Sequence, residues 1–238
     1  MTSPSTKTFL VCHGAWSAGW AWKKMHPLMS KAGHRLMTPT YTGLGERAHL
    51  ANRSIDLETH IEDMLNVIKY EDLRDIVLIG HSYGGMVATG VTDRVRDRIT
   101  QLIYIDAFVP EDGQSLLDIN EAGRARMQEL AKTGDGWRVP PSPTPPDTSP
   151  ADVEWLSERR VHMPVKCFET RLKVQGGALT LPRSYIYATR ITPADTFGPF
   201  AKRAKNDPAW RYFEIDASHA PNVTAPEALM ALLEKIAA

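Results

Sequence analysis

Apolar and polar positions alternate between two periods along this chain. Short apolar runs of strand length stand at Thr8–Cys12, Arg35–Pro39, Asp75–Ile79, Gln101–Asp106, Ser184–Thr189 and Arg211–Ile215. Between them lie stretches with the 3.6-residue period of helices. The clearest runs from Leu57 to Tyr70, with Leu57, Ile61, Met64, Leu65 and Ile68 on one stripe. Others cover residues near 18–32, ended at Gly33, the stretch after Gly84, and Ala225 to Ala238 with Leu229, Leu232, Leu233 and Ile236 on one face. Strand–helix alternation of this kind predicts an α/β fold: a mainly parallel sheet of about six strands with helices on both faces. Ligands of such sheets bind beyond the carboxyl ends of the strands.

The rhythm breaks between residues 111 and 182, where no clean strand is readable. A helical stretch, Ser115 to Lys132, leads into Val139-Pro140-Pro141-Ser142-Pro143-Thr144-Pro145-Pro146, which can be neither helix nor central strand. A second helical stretch begins near Ala151 and carries Trp155. Trp137, Trp155, Met127, Met163 and Phe168 supply apolar surface that needs burial, which argues against a disordered linker. The expected organisation is a core domain, 1–110 and 183–238, with a cap inserted at 111–182.

Composition narrows the functional classes. Lys+Arg and Asp+Glu are both 28, so no basic field exists to attract nucleic acid or an anionic membrane. No apolar run is long enough to span a bilayer. The opening Met1–Lys7 is polar and lacks the apolar centre of a signal peptide, so the expectation is a cytoplasmic protein. Cys12 and Cys167 do not suggest a disulfide framework, and no His or Cys spacing suggests a metal site. Neither metal nor organic cofactor is expected. Nothing in the sequence decides between a monomer and a homodimer.

Chemistry concentrates at Gly80-His81-Ser82-Tyr83-Gly84, set between an apolar strand and a helix. G-x-S-x-G in that context is a nucleophile elbow, a tight turn that lifts the serine hydroxyl above the sheet. Ser82 needs a base to become nucleophilic. His219, in the loop Asp216–Pro221 after the last strand, reaches the same sheet edge as the elbow and is the expected base. His81 is expected to pack against neighbouring strands, and His60 to sit on its helix without a chemical role. The acid partner has two candidates. Asp106 ends an apolar strand, where an unpaired carboxylate is costly and an imidazole is a fitting partner; Asp195 follows the next strand but lies a turn too far on. Asp106 is the preferred reading. The oxyanion hole is expected from the backbone N–H groups of Tyr83 and of Ala15, the latter in His13-Gly14-Ala15-Trp16 where Gly14 permits a close turn. Gly14, Trp16, Tyr83, Phe108, Trp137 and Trp155 are expected around the substrate. Arg47 and His49 could meet a polar substrate group, or Arg47 could hold its own loop by an ion pair.

Val11-Cys12-His13-Gly14-Ala15-Trp16, Trp20, Trp22, Thr42-Gly43-Leu44-Gly45-Glu46-Arg47, Gly80–Gly85 and Phe108-Val109-Pro110 together resemble the α/β-hydrolase family. Within it the chain looks like the branch of plant methylesterases, hydroxynitrile lyases and their small bacterial relatives. The resemblance implies the α/β-hydrolase fold and a serine hydrolase that acts on a small carboxylic ester through an acyl-enzyme. In that branch the acid usually stands where this chain has Ile191, whereas Asp106 matches the acid position of haloalkane dehalogenases. Those enzymes use an aspartate nucleophile, so their activity does not carry over to Ser82. Lyases of the branch carry a threonine and a lysine where this chain has Gly14 and Ala220, which disfavours cyanohydrin cleavage. A carbamate or amide hydrolase would use the same residues. A ligand receptor on the same fold is the reading from another class.

Overall fold

The computed structural model describes residues 6–176, 180–190 and 195–237. The chain runs β1 (Thr8–Cys12), a 3-10 turn at Gly19–Trp22, α1 (Met25–Lys31), β2 (Arg35–Met37), α2 (Leu57–Tyr70), β3 (Ile76–His81), α3 (Gly84–Arg94) and β4 (Ile99–Ile105). A long excursion follows: α4 (Leu116–Ile119), α5 (Glu121–Thr133), β5 (Arg138–Val139), α6 (Pro150–Ser157), β6 (Met163–Pro164) and α7 (Lys166–Glu169). The chain then returns through β7 (Arg183–Ala188), α8 (Gly198–Asn206), β8 (Trp210–Ile215), α9 (Pro221–Thr224) and α10 (Pro226–Ala237). Six strands form one sheet in the order β2-β1-β3-β4-β7-β8, and every pairing is parallel.

The sheet separates two apolar layers, as the period of two dictates. Phe9 and Val11 of β1, with Val77 and Ile79 of β3, pack toward Met25, Leu229 and Leu233. Leu10, Cys12 and Leu78 face the other way, toward Ile61, Met64, Met86 and Phe168. All six residues of β3 are buried, which is why its sequence reads as a continuous apolar run. Helix α2 begins where Asp56 caps it: the Asp56 carboxylate accepts from the Thr59 N–H, and the Thr59 side chain answers the Asp56 backbone.

The structure departs from the sequence pattern in three places. The helix expected over 18–32 is a 3-10 turn followed by α1, whose start places Pro27 in the first turn, where its missing N–H costs nothing. The helix expected over 115–132 divides at Asn120, whose side chain accepts from the Gly123 N–H and so caps α5. Within 111–182, where no strand was readable, β5 and β6 form a short antiparallel pair. Two-residue strands carry too little pattern to read.

Candidate active site

Strand ends β3 and β4 and the loop after β8 converge at the carboxyl edge of the sheet. Ser82 sits at φ 56°, in the left-handed region that side chains resist, and this is the strained turn of the elbow. The turn is possible because its neighbours are glycines: a side-chain carbon at Gly84 would run into the backbone of Cys12, and one at Gly80 would meet Ala88 and the helix start. Asp106 follows β4 directly, at φ 42° and with 4% of its surface exposed. His219 lies between them. Its Nε2 is 2.9 Å from Ser82 Oγ and its Nδ1 is 2.7 Å from Asp106 Oδ2. The other Asp106 oxygen accepts from the Ala188 N–H at 3.4 Å. Asp195 is engaged elsewhere: it accepts from the Tyr187 hydroxyl at 2.9 Å and from the Gly198 N–H at 2.7 Å. Ile191, the residue at the alternative acid position, lies outside the described residues.

Aromatic surfaces hold the imidazole. Phe197 stacks on the His219 ring with centroids 4.6 Å apart and planes 7° from parallel. His81 Nε2–H donates to the His219 carbonyl at 2.7 Å. Burial holds the His81 ring well below its ordinary value, at about 3, so it stays neutral and acts as a fixed donor. The sequence reading of His81 as mere packing missed this latch.

A connected polar layer lies beneath the elbow and the loop after β1. His13 Nδ1–H donates to the Gly14 carbonyl at 2.9 Å, and His13 Nε2 accepts from the Tyr41 N–H at 3.3 Å. The Tyr83 hydroxyl donates to His60 Nδ1 at 2.9 Å, and His60 Nε2–H donates to the Thr42 carbonyl at 3.2 Å. Burial lowers His13 to about 3 and His60 to about 4. Burial also pushes the thiols of Cys12 and Cys167 up, so neither is a nucleophile at neutral pH. Arg47 is spent on its own loop, donating to the Thr40 carbonyl, Thr42 Oγ1 and Asp63. His49 is exposed and away from the cavity.

A cavity of 660 Å³ opens onto Ser82 and His219, with Gly14, Ala15, Trp16 and Phe108 on its walls. Trp16 stands at φ 59° and its indole N–H donates to the Val139 carbonyl at 2.9 Å, tying the loop after β1 to the excursion. Neither the Ala15 nor the Tyr83 N–H donates to an acceptor among the described residues. Three expected wall residues, Trp155, Trp137 and Tyr83, are elsewhere. Trp155 packs edge-on against Trp20 at 5.1 Å with Lys23 over its ring, and α6 presents Leu156 to the cavity instead. The Trp137 ring is covered by the guanidinium groups of Arg53 and Arg138, 5.9 and 4.8 Å from its centroid. The Tyr83 ring points down to His60 and does not line the cavity. A more open depression of 760 Å³ over β2 and α2, with Arg35, Arg47, Asp63 and Glu71 on its walls, shares no residue with this cavity. No group of His, Cys, Asp and Glu fit to hold a metal occurs among the described residues. No helix among them is long and apolar enough to cross a membrane.

Residues 9–232 match the model of the Alpha/beta hydrolase family. The chain belongs to that family. It is 37% identical, over 97% of its length and 98% of the relative's, to a carbendazim hydrolyzing esterase of Nocardioides sp. (strain SG-4G). Methylesterase 2 of Arabidopsis thaliana is 29% identical over 54% of this chain and 48% of its own. Among solved structures, an extracellular alpha/beta-hydrolase from a Paenibacillus species, described as sharing structural and functional homology with tobacco Salicylic Acid Binding Protein 2, superposes with a TM-score of 0.85. That match has 26% identity and covers 97% of this chain and 98% of the other. The chain is an ester-acting hydrolase of this family.

Proposed function

We propose that the chain cleaves small carboxylic esters by a Ser-His-Asp mechanism with an acyl-enzyme on Ser82. The observation that carries this reading is the single line of hydrogen bonds from Ser82 Oγ through His219 to the buried Asp106 at the wall of one cavity. Ser82 Oγ attacks the ester carbonyl as His219 Nε2 takes its proton. Asp106 holds the Nδ1–H tautomer and stabilises the imidazolium that forms. The Ala15 and Tyr83 N–H groups, which have no protein acceptor among the described residues, receive the developing oxyanion. His219 returns the proton to the departing alcohol. A water deprotonated by His219 then attacks the acyl group, releases the acid and restores Ser82. In this reading residues 111–182 form a cap over a core of 1–110 and 183–238, and the cap selects the substrate.

Carbendazim is the second substrate reading, favoured by the 37% identity that spans nearly the whole of both chains. Cyanohydrin cleavage is disfavoured, since Ala220 follows His219 and offers no side-chain charge to a cyanide leaving group. The test is a panel of p-nitrophenyl esters of short to medium acyl chain, with carbendazim and an aryl carbamate added, assayed on the protein and on Ser82→Ala. Turnover that vanishes in the variant supports the reading, and the preferred substrate gives the pocket's depth. Equal turnover in both, or none in either, overturns it.

A further inference from the structure

The cavity wall is built from two sources that differ in charge. From the core come Asp106, Arg190, Asp195 and His219, and these are satisfied by protein partners. Asp106 holds His219, and Asp195 takes the Tyr187 hydroxyl and the Gly198 N–H. Arg190 is forked onto Asp216 at 2.9 and 3.1 Å and lies 3.6 Å from Asp147. The segment 111–182 supplies the facing wall, which includes Asn120, Arg126, Met127, Leu156 and Arg160 and, among the described residues, not one Asp or Glu. Its two guanidinium groups are under-used. Among the described residues Arg160 gives a single hydrogen bond, from Nη1 to the Ser142 carbonyl at 2.6 Å. Arg126 makes no hydrogen bond or ion pair among the described residues.

We propose that this wall is an anion subsite, and that the preferred substrates are esters carrying a carboxylate remote from the scissile bond, bound by Arg160 with help from Arg126. The proposal rests on the ester-hydrolase reading above and names its substrate class. A guanidinium has five N–H donors in a planar fork that matches a carboxylate. Arg160 is half-buried and its charged group lies over the Trp16 ring, 5.9 Å from the centroid. Trp16 follows Ala15 directly, so the fork is held beside the loop assigned to the oxyanion. Burial weakens the hold of Arg160 on its proton, so a counter-anion arriving in the cavity relieves that cost. Arg126 is exposed at the rim, where water and salt weaken its pull, so the smaller share falls to it.

The plain competitor is that Arg160 only latches the proline-rich run to the end of α6 through Ser142. Matched substrates separate the two. Dimethyl adipate and monomethyl adipate present the same ester and nearly the same length, and differ by one charge. The protein is expected to favour the half-ester in kcat/KM. Arg160→Gln is expected to reduce that preference about tenfold, through KM, as loss of one charge-assisted hydrogen bond does. Arg126→Gln is expected to reduce it by a smaller factor. A preference for the diester, or equal losses on both substrates in Arg160→Gln, overturns the proposal in favour of the latch. Calorimetric binding of monomethyl adipate to Ser82→Ala, with and without Arg160→Gln, reads the subsite without catalysis. Arginine-dependent binding with no turnover by the Ser82 protein would sink the ester reading and keep the subsite. Turnover of the neutral diester with no binding of the half-ester would do the reverse.

Discussion

Asp106 and Asp195 show how a single carboxylate's surroundings decide its partners. Both follow strands at the same sheet edge, and both have an aromatic or imidazole neighbour. Asp106 is buried, strained at φ 42°, and gives one oxygen to His219 and the other to the Ala188 N–H. Asp195 accepts from a phenol and from the start of α8. Asp106→Asn should therefore drop kcat by about 10⁴, because an amide presents the wrong partner to Nδ1 and favours the wrong tautomer. Asp195→Asn keeps an acceptor for Tyr187 and should leave kcat within a few-fold. Steady-state kinetics on one ester decides between them, and collapse in the second variant alone would overturn the assignment of the acid. The position of Asp106 was legible because a charge closing an apolar strand demands a partner. The latch from His81 to the His219 carbonyl was not, because the x of the elbow carries no pattern of its own.

Helix α2 was legible in its bounds, and yet its most consequential side chain was not. Leu57, Ile61, Met64 and Ile68 define the stripe, and His60 sits within it as a buried polar residue. That break in the stripe was the available signal, since a buried polar group must find a partner. Its partner is Tyr83, whose backbone N–H is the proposed oxyanion donor. Tyr83→Phe removes the hydroxyl and leaves His60 Nδ1 buried without a donor, which should cost about 1–3 kcal/mol of stability by urea denaturation. With the donor's anchor gone, kcat should fall more than KM rises. A variant as stable as the parent would show that the contact is dispensable. Helix α6 illustrates what pattern cannot give. Trp155 and Leu156 are adjacent and both apolar, and only the rotation of the helix against Trp20 decides that Leu156 meets the cavity. A short helix with apolar residues on several faces does not specify that rotation from sequence.

Across the whole molecule, three buried neutral imidazoles link stability to pH. His13, His60 and His81 each donate one ring N–H to a carbonyl, those of Gly14, Thr42 and His219 in turn. Burial holds them at about 3, 4 and 3 in the folded protein. In the unfolded chain a histidine takes its proton near pH 6.5. Between those values the unfolded state binds more protons, so stability rises with pH there. The contribution is complete above about pH 6.5 and is lost as pH falls toward the folded values, at up to about 1.4 kcal/mol per pH unit for each ring. The melting temperature should be flat from pH 8 to 7 and fall increasingly below pH 6.5. His81→Gln can retain a donor for the His219 carbonyl and removes one titrating ring. Its melting temperature should fall less steeply with pH than the parent's, whatever its value at pH 8. Parallel curves for the two proteins between pH 7 and 5 would mean that His81 is protonated as readily folded as unfolded. The latch on His219 could not then rest on a neutral ring.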